Sequence, residues 1–341
     1  MKTLVTGANG LMGSNIVREL LKRDQEVKVL VRPGSDHRSL LGLDIEFFYG
    51  DLLDEQSLKP AVNGCDYVIH AAGKVAGELT RFSDFSGPNI KGAQNIVHAA
   101  ENAGIKRMVH VSSCCVFSGG NMEHPGTELS EFTGFRFNSG YIYSKYLAQQ
   151  WVLSEVEKTR FPVVIVNPTF LIGPYDVRPT TGDTILRVLK NQVQPCPYGG
   201  KNYIDVRDAA TGTCNALTMG IPGECYLLAS ENLSIAEFVD KVNRIYGRPG
   251  FRIMLPAAFF KGAGLIGNTV RSLTHRDTAV NLVNCKQLIT ESYYSASKAV
   301  RALGLPQRPV DDAIRDAIDW FIANGYLKPY LKQEVFVPQA A

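Results

Sequence analysis

The sequence has no uninterrupted apolar run as long as the ~18 residues that a membrane-spanning helix needs. Its nearest approach, Pro256 to Ile266, is short and contains Lys261. We expect this stretch to form a helix that packs on the substrate side of the protein. Peripheral membrane contact is the alternative, and stable membrane insertion is not expected. A strand pattern starts at Met1, which leaves no room for a signal peptide.

Cysteine motifs are missing as well. The seven cysteines contain no CxxC pair, and only Cys114 and Cys115 are adjacent. This pattern excludes a zinc ribbon and a small disulfide scaffold, so no metal site is expected. Scattered thiols suit a reducing compartment and predict a cytoplasmic protein. Lys and Arg form no long run and the formal net charge is only +3, so we expect no nucleic-acid partner.

The chain does contain a regular alternation of β-rich and helical segments over its first half. Helical patterns run from Leu11 to about Arg23 and from about Asn89 to Ala103, the second stopping at Gly104. This alternation predicts an α/β fold, a Rossmann-type doubly wound parallel sheet with its ligand crevice at the carboxyl ends of the strands. The predicted strands are Thr3–Thr6, Val27–Val31, Ile45–Tyr49, Tyr67–His70, Arg107–Val111 and Val163–Val166.

The pattern changes after Pro168, where Pro and Gly become frequent and helices are separated by loops. Helical periodicity returns at Ile235–Ile245 and at Pro309–Asn324. We therefore predict a dinucleotide-binding domain over residues 1–168 that contains the catalytic residues. A smaller lobe over residues 169–330 would bind the substrate and return some segments to the first sheet. Residues 331–341 are expected to be a frayed tail.

The strongest motif opens the chain, where a strand, a glycine-rich turn and a helix follow one another. Gly7 permits the tight turn, Gly10 lets the backbone approach a pyrophosphate, and Gly13 lets the helix pack on the sheet. The helix N-terminus offers free N–H groups to phosphates. The predicted cofactor contacts here are Gly7, Asn9, Gly10, Leu11, Met12 and Gly13.

The end of the second strand predicts which dinucleotide binds. Arg32 stands 19 residues after Gly13 (32 − 13), where an NAD enzyme usually has a carboxylate for the ribose hydroxyls. A guanidinium would instead attract the 2′-phosphate of NADP, and Arg38 follows closely. We therefore predict a preference for NADP(H), with NAD(H) as the alternative.

Two further segments point to a reaction centre. Tyr141 and Lys145 form a Y-x-x-x-K pattern that places both on one face of a helix. A nearby ammonium would lower the tyrosine pKa, and such a tyrosine can exchange a proton with a substrate oxygen. Two serines, Ser112 and Ser113, follow the predicted fifth strand, and Ser113 stands 28 residues before the tyrosine (141 − 113).

The G-x-x-G-x-x-G spacing and the Ser113, Tyr141 and Lys145 set resemble the extended branch of the short-chain dehydrogenase/reductase superfamily. The pattern looks most like its dihydroflavonol-reductase-like and hopanoid-associated epimerase-like subgroup. The resemblance implies that Ser113, with Ser112 as the alternative, holds the substrate oxygen, and that Lys145 also bonds the nicotinamide ribose. It implies as well that Asn89 matches a fourth active-site position better than Asn95 and that the protein is a homodimer. It further implies cofactor contacts at Asp51, Leu52, Ala71, Ala72, Gly73, Ser112, Tyr141, Lys145, Asn167, Pro168 and Thr169.

Some positions depart from the pattern of extended members. Asn167 and Ile172 replace an arginine and a tyrosine of a loop that shapes the cofactor and substrate contacts. Cys114 and Cys115 stand where sugar-nucleotide dehydratases have an Asp-Glu pair, which argues against dehydratase chemistry. Arg32 argues against an epimerase that holds NAD tightly.

These observations predict an NADPH-dependent oxidoreductase that reduces a ketone or aldehyde to an alcohol. The alternatives are an NAD-dependent nucleotide-sugar epimerase and a non-catalytic NADP-binding regulatory protein. The expected substrate is a small apolar, aromatic or lipid-like carbonyl, because the candidate pocket residues are aromatic. A nucleotide sugar would need cations, for which Arg136, Arg178 and Lys201 are candidates. The predicted substrate contacts are Phe82, Phe85, Phe117, Phe170 and Tyr175.

Overall fold

The centre of the fold is a sheet of parallel strands, seen in a computed structural model that describes residues 1–274 and 276–330. The tail predicted for residues 331–341 lies outside the described residues. Numbered in chain order, the strands of this sheet are β1 (Lys2–Thr6), β2 (Glu26–Val31), β3 (Glu46–Tyr49), β4 (Tyr67–His70), β5 (Arg107–Val111), β6 (Val163–Pro168) and β10 (Cys225–Leu228). Their order across the sheet is β10-β6-β5-β4-β1-β2-β3, and every neighbouring pair is parallel.

Both faces of this sheet are covered. Leu4 and Val5 are neighbours in β1 and both are completely buried, because they point into separate cores on the two sides of the sheet. The helices on one side are α1 (Leu11–Lys22), α7 (Val206–Met219) and α11 (Ser297–Leu303), and those on the other are α2 (Glu55–Val62), α4 (Gly92–Asn102) and α5 (Gly140–Thr159). The predicted doubly wound parallel sheet is confirmed.

The helix predicted from Asn89 to Ala103 differs from the observed one at its start. The chain is already helical from α3 (Ser83–Ser86), and a wide π-helical turn at Gly87–Lys91 joins α3 to α4. Pro88 has no N–H to donate, so the regular hydrogen-bond ladder is interrupted there, and a wider turn accommodates the gap. The predicted stop is present, since Gly104 has a φ of +67° just after the helix.

The second half of the chain forms a lobe with its own core. Small strands there are β7 (Phe170–Ile172), β8 (Val193–Cys196), β9 (Gly200–Asp205), β11 (Glu231–Ser234), β12 (Phe251–Met254) and β13 (Glu291–Ser292). Its helices are α6 (Asp183–Lys190), α8 (Ile235–Tyr246), α9 (Ala257–Thr274), α10 (Leu282–Leu288) and α12 (Val310–Ala323). The expected helices near residues 235 and 310 are α8 and α12. None of the helices in the described ranges is both long and apolar enough to span a bilayer.

Candidate active site

The loop after β1 is shaped by glycines, and a side chain at Gly7 or Gly13 would collide with the backbone. Gly7 has a φ of +69°, and a Cβ added to it would lie 2.6 Å from the Cα of Ala72. The amide of Gly10 donates to the carbonyl of Gly7 at 3.0 Å, which closes the turn. Gly10 caps α1 without a side chain, and the first turn of α1 has no acidic residue. The helix therefore keeps free N–H groups and a partial positive charge, which fit a dinucleotide pyrophosphate.

The loop after β2 is fastened onto this glycine loop. The Asn9 amide donates to the Asp36 carbonyl at 3.0 Å, and the Ser39 hydroxyl donates to the Asn9 carbonyl at 3.1 Å. Arg38 donates to the Asp36 carboxylate from its backbone amide and from two guanidinium nitrogens, and it lowers the pKa of that carboxyl to about 2. Arg32 is exposed, and within the described residues its guanidinium has no ion pair. Arg32 is thus a cation at this strand end that is free to meet a phosphate.

Small residues connect the glycine loop to the reaction centre. Ala71 and Ala72 border Gly7, and a Cβ added to Gly73 would lie 3.3 Å from the Lys145 ammonium. A larger side chain at residue 73 would therefore crowd the lysine. The segment 71–73 accordingly offers backbone, not side chain, along the crevice.

The loop after β3 is held from two sides. The Asp51 carboxylate accepts the amide of Leu53 at 2.9 Å. The Asn95 amide donates to the carbonyl of Leu52 at 2.9 Å, so Asn95 supports this loop from α4. Asp51 and Leu52 stay predictions as adenine contacts.

Three predicted catalytic side chains come together at the end of β5. The Tyr141 hydroxyl lies near the Ser113 side chain, close enough for that hydroxyl to favour a lower pKa of the phenol. Lys145, one turn further along α5, donates from its ammonium to the Val111 carbonyl at 3.2 Å. Ser113 has extended backbone, and its hydroxyl accepts the amide of Cys115 at 3.4 Å. The arrangement places two hydroxyls and one ammonium at the carboxyl edge of the sheet, where ligands bind in such folds.

Burial controls the protonation of this cluster. It raises the pKa of Tyr141 far above the ordinary value, and the neighbouring Cys115 acts in the same direction, while the nearby Ser113 hydroxyl opposes them. Burial also lowers the pKa of Lys145 to about 8. The predicted lowering of the Tyr141 pKa is therefore wrong, because desolvation of the phenolate is the largest effect on this group. Tyr141 holds its proton at neutral pH.

Asn89 joins three parts of the site. Its side-chain oxygen accepts the Lys74 amide at 2.7 Å, and its amide donates to the Lys74 carbonyl at 3.1 Å. The same amide donates to the Ser144 hydroxyl at 2.9 Å, inside the Y-x-x-x-K segment. Asn89 therefore fixes the segment after residue 73 against α5 and holds both in place.

Asn167 supports the backbone at Ser113 and the helix that carries Tyr141. Its amide donates to the carbonyl of Ser113 at 3.0 Å and to the side-chain oxygen of Gln149 at 2.7 Å, and Asn167 is completely buried. Gln149 did not emerge from the motifs. It lies one turn beyond Lys145, so extending the four-residue spacing from Tyr141 through Lys145 would have identified it. The cofactor contacts of Asn167, Pro168 and Thr169 remain predictions, and the Thr169 hydroxyl donates to Asn202 at 2.7 Å.

Two histidines lie behind this cluster. His70 is buried, as expected for a packed residue at a strand end, and its Nδ1 lies 2.7 Å from the Thr6 hydroxyl. The ring of His110 stacks on it with centroids 5.4 Å apart. Burial lowers the pKa of His70 to about 3, so the pair is neutral. No group of three or more potential metal ligands is found in residues 1–274 and 276–330.

Two of the predicted aromatic contacts belong to the surroundings of Tyr141. The ring of Phe85 is completely buried and meets the Tyr141 ring edge-on at 5.8 Å. Phe82 is partly exposed and packs on Tyr143 at 5.5 Å. Phe85 thus packs against the tyrosine ring and orients it, whereas Phe82 has exposed ring surface that a ligand could contact.

The other two predicted aromatic contacts near the site, Phe117 and Phe170, contact residues from the second half of the chain. The carbonyl of Phe117 accepts the Tyr294 hydroxyl at 3.1 Å. Phe170 packs against Tyr203 at 5.3 Å, and the ammonium of Lys201 lies 6.0 Å from its ring. Both phenylalanines are half-buried, which leaves part of each ring available.

Tyr175 has a different position. The guanidinium of Arg18 lies 3.4 Å from the centre of its ring, and Trp320 meets it from the lobe at 6.3 Å. Nearby, the Asn15 amide donates to the Pro174 carbonyl at 3.2 Å. These contacts place Tyr175 against α1, where its ring joins the two halves of the chain. We leave it out of the proposed substrate pocket.

A parallel sheet with a glycine-rich loop and an uncapped helix N-terminus at its carboxyl edge is the architecture of dinucleotide-binding oxidoreductases. The profile of the NAD dependent epimerase/dehydratase family matches residues 3–229. The chain belongs to this family and is an NAD(P)-dependent oxidoreductase of the extended short-chain dehydrogenase/reductase type.

Individual relatives cover nearly the whole chain. A protein of Synechocystis sp. that carries a dihydroflavonol 4-reductase name is 34% identical over 329 residues, which cover 95% of each chain. Sterol demethylase protein B of Methylococcus capsulatus is 30% identical over 332 residues, or 96% of this chain and 100% of that protein. The crystal structure of gox2253 has a TM-score of 0.84 at 30% identity and covers 96% of this chain and 99% of that one. The resemblance inferred from the motifs is confirmed.

Proposed function

We propose that this protein reduces a ketone or aldehyde to an alcohol with NADPH, with Tyr141 as the proton donor. The observation that carries the proposal is the convergence of the partly buried Tyr141 with Ser113, which lies near its hydroxyl, and with Lys145, which lies one helical turn further along α5. A tyrosine that is protonated at neutral pH has the proton that a carbonyl oxygen needs during reduction.

The cofactor, when bound, supplies a hydride to the carbonyl carbon. Tyr141 donates its proton to the carbonyl oxygen, so that the carbonyl becomes an alcohol and the tyrosine a phenolate. Ser113 donates a hydrogen bond to the same oxygen and orients it. Lys145 favours the phenolate through its positive charge and then helps return a proton to it. Asn89 and Asn167 hold the backbone on which these groups stand.

The glycine loop and α1 would hold the pyrophosphate, and Arg32 would bind the 2′-phosphate of NADP. Arg32 is exposed and unpaired among the residues described, whereas Arg38 is held by Asp36. A free guanidinium can form a bidentate ion pair with a phosphate. This difference supports NADPH over NADH and makes Arg32 the main determinant.

The surroundings of the site support an apolar carbonyl as the substrate. Burial raises the pKa of Cys114 to about 12, so a neutral thiol stands beside Ser113 where a dehydratase would need carboxylates. Phe82, Phe117 and Phe170 keep ring surface available. The relative that is named a sterol demethylase protein supports a lipid-like substrate class.

The cations that a nucleotide sugar would need are dispersed. Arg136 lies over the ring of Phe137 at 4.9 Å, and Arg178 is near enough to Asp36 to lower the pKa of that carboxyl. Lys201 is a half-buried lysine close to Cys114, and desolvation lowers the pKa of its ammonium. One cation near the reaction centre does not make a diphosphate site. This dispersion supports the reductase over the epimerase.

The test is a comparison of NADPH and NADH as reductants of aromatic, lipid-like and sugar-nucleotide carbonyls, followed by absorbance of the reduced nicotinamide. We expect consumption of NADPH with an apolar ketone. Interconversion of a sugar nucleotide with bound NAD and no net consumption would identify an epimerase instead. Bound cofactor without turnover of any carbonyl would identify a regulatory protein.

We also propose the division into a cofactor domain of residues 1–168 and a substrate lobe of residues 169–330, in a cytoplasmic homodimer. Contacts support a lobe with its own core, although β10 and α7 pack with the first sheet. Light scattering of the full chain at monomer mass would contradict the dimer.

A further inference from the structure

Helix α9 presents an apolar face to solvent. Phe259, Ile266 and Leu273 recur every seven residues and form one row along the helix, and they are 52%, 67% and 77% exposed. Val270 and Leu265 flank the row and are also exposed. Single exposed apolar residues are ordinary, but Phe259, Ile266, Val270 and Leu273 lie within about 60° of one another around the helix axis and form a patch that needs an explanation.

The rotation of α9 about its axis is fixed by small residues on its opposite face. Phe260, Gly264 and Gly267 are its buried residues. A Cβ added to Gly264 would lie 2.8 Å from the Cα of Leu282, because α10 packs directly on the glycine side. The apolar row therefore cannot turn inward without separating α9 from α10.

The charges that helix α9 itself contributes have one sign. Helix α9 contains no Asp or Glu, and its own cations are Lys261 and Arg271. Lys261 is exposed and Arg276 follows the helix, and neither has an ion pair within residues 1–274 and 276–330. Arg271 is engaged by Asp277 at 2.7 Å. An apolar stripe on a helix that has no anion of its own and has unpaired cations beside it suits the headgroup region of an anionic membrane.

The face is also joined to the reaction centre. The Arg271 guanidinium donates to the Thr80 hydroxyl at 2.5 Å, and Asn284 of α10 donates to the Gly77 carbonyl at 2.8 Å. The Thr80 carbonyl accepts the amide of Gly140, which precedes Tyr141 at the start of α5. Two hydrogen bonds thus connect α9 and α10 to the segment that borders the proton donor.

We propose that the exposed face of α9 docks on the surface of an anionic lipid bilayer and brings the entrance of the active site to the membrane. A single helix of 18 residues is about 27 Å long and about 10 Å wide. That footprint is smaller than the roughly 800 Å² per partner of a stable protein interface. Reversible docking on a lipid surface needs no such area. The uptake of a lipid-like substrate from the bilayer rests on the proposed function, whereas the docking itself does not.

The experiment is flotation of the full chain with vesicles of phosphatidylcholine alone and of phosphatidylcholine with phosphatidylglycerol. The variants are Ile266→Asp and Leu273→Asp, which replace exposed side chains. The matched control is Leu129→Asp, a leucine that is 93% exposed and outside α9. We expect the wild type and the control to float with the anionic vesicles. Each α9 variant should bind these vesicles with an affinity lower by roughly tenfold or more. Lys261→Glu should weaken binding to anionic vesicles and leave binding to neutral ones unchanged.

Three results would overturn the docking. The first is no flotation of the wild type, and the second is equal flotation of the wild type and the α9 variants. The third is a wild-type dimer that binds no vesicles and is lost in the α9 variants, which would show that a second copy of the chain covers the α9 face. Circular dichroism checks that the variants are folded. A water-soluble ketone separates the two proposals: if the wild type floats but does not reduce any ketone, the docking stands and the reductase assignment fails.

Discussion

The amide of Asn89 and the hydroxyl of Ser144 are 2.9 Å apart and joined by a hydrogen bond, which connects the wide turn before α4 to the helix that carries Tyr141 and Lys145. The bond matters because Asn89 also satisfies both backbone groups of Lys74. Three hydrogen bonds of one buried side chain thus determine the relative position of two elements of the site.

Replacing Asn89 by Ala should therefore destabilise the protein by about 2–3 kcal/mol, since it leaves partly buried backbone groups of Lys74 unpaired. Urea unfolding of the full chain measures this change. Asn63→Ala is the control, because Asn63 is exposed, and its effect should stay within about 0.5 kcal/mol. Equal stability of the two variants would show that water replaces the Asn89 amide.

Tyr141→Phe should lower kcat for carbonyl reduction by a factor of about 10² to 10⁴, because the proton donor is removed and the ring is kept. Fluorescence of bound NADPH should show cofactor affinity within a small factor of the wild type. Tyr143→Phe is the control from the same helix, and its hydroxyl lies outside the proposed mechanism. Near-normal turnover of Tyr141→Phe would refute the assigned proton donor.

Lys145 should leave a signature in the pH dependence of stability. Its pKa in the folded protein is about 8, below the ordinary 10.5, so between these values the unfolded chain binds more protons than the folded one. Stability from this group therefore rises with pH across that window, by at most about 3 kcal/mol. Urea unfolding of wild type and Lys145→Met at several pH values isolates the effect. The advantage of the variant should shrink as pH rises from 8 to 10.5, and a constant difference would contradict the lowered pKa.

Arg32→Ala should raise KM for NADPH by roughly tenfold or more and leave KM for NADH nearly unchanged, because only NADPH has the 2′-phosphate. Arg38→Ala should have a smaller effect, since its guanidinium is already engaged by Asp36. Steady-state kinetics with both cofactors give the comparison. If Arg38→Ala changes the ratio more than Arg32→Ala, the two arginines have exchanged the proposed roles.

The sheet and the main motifs were predictable because they depend on local pattern. Buried parallel strands such as Val163–Pro168 are continuous apolar runs, and Gly7 and Gly13 stand at a spacing that only a tight strand-to-helix turn requires. The convergence of Ser113 with Tyr141 was also predictable, since both follow from the parallel topology.

Other features depend on contacts between distant residues and were not predictable. Periodicity describes which face of a helix is apolar, but not what it meets. Tyr175 therefore looked like a pocket residue, although it lies against Arg18. The direction of the Tyr141 pKa needed the burial of the phenol as well as the spacing to Lys145. Gln149 could not be assigned from the sequence, because its role depends on the hydrogen bond from Asn167, which lies 18 residues further along the chain.

Through the contact between Arg18 and Tyr175, helix α1 borders both the expected cofactor site and the substrate lobe. The N-terminus of this twelve-residue helix faces the expected cofactor phosphates, and its middle holds the substrate lobe. Because a helix moves as a rigid unit, a shift of its first turn on cofactor binding also shifts Arg18, which contacts Tyr175. We expect NADPH to tighten the binding of the carbonyl compound and, by thermodynamic reciprocity, the carbonyl compound to tighten that of NADPH by the same factor. Calorimetric titrations in both orders would measure this cooperativity, and its loss in Arg18→Leu would show that one cation–π stack lets each site sense the other.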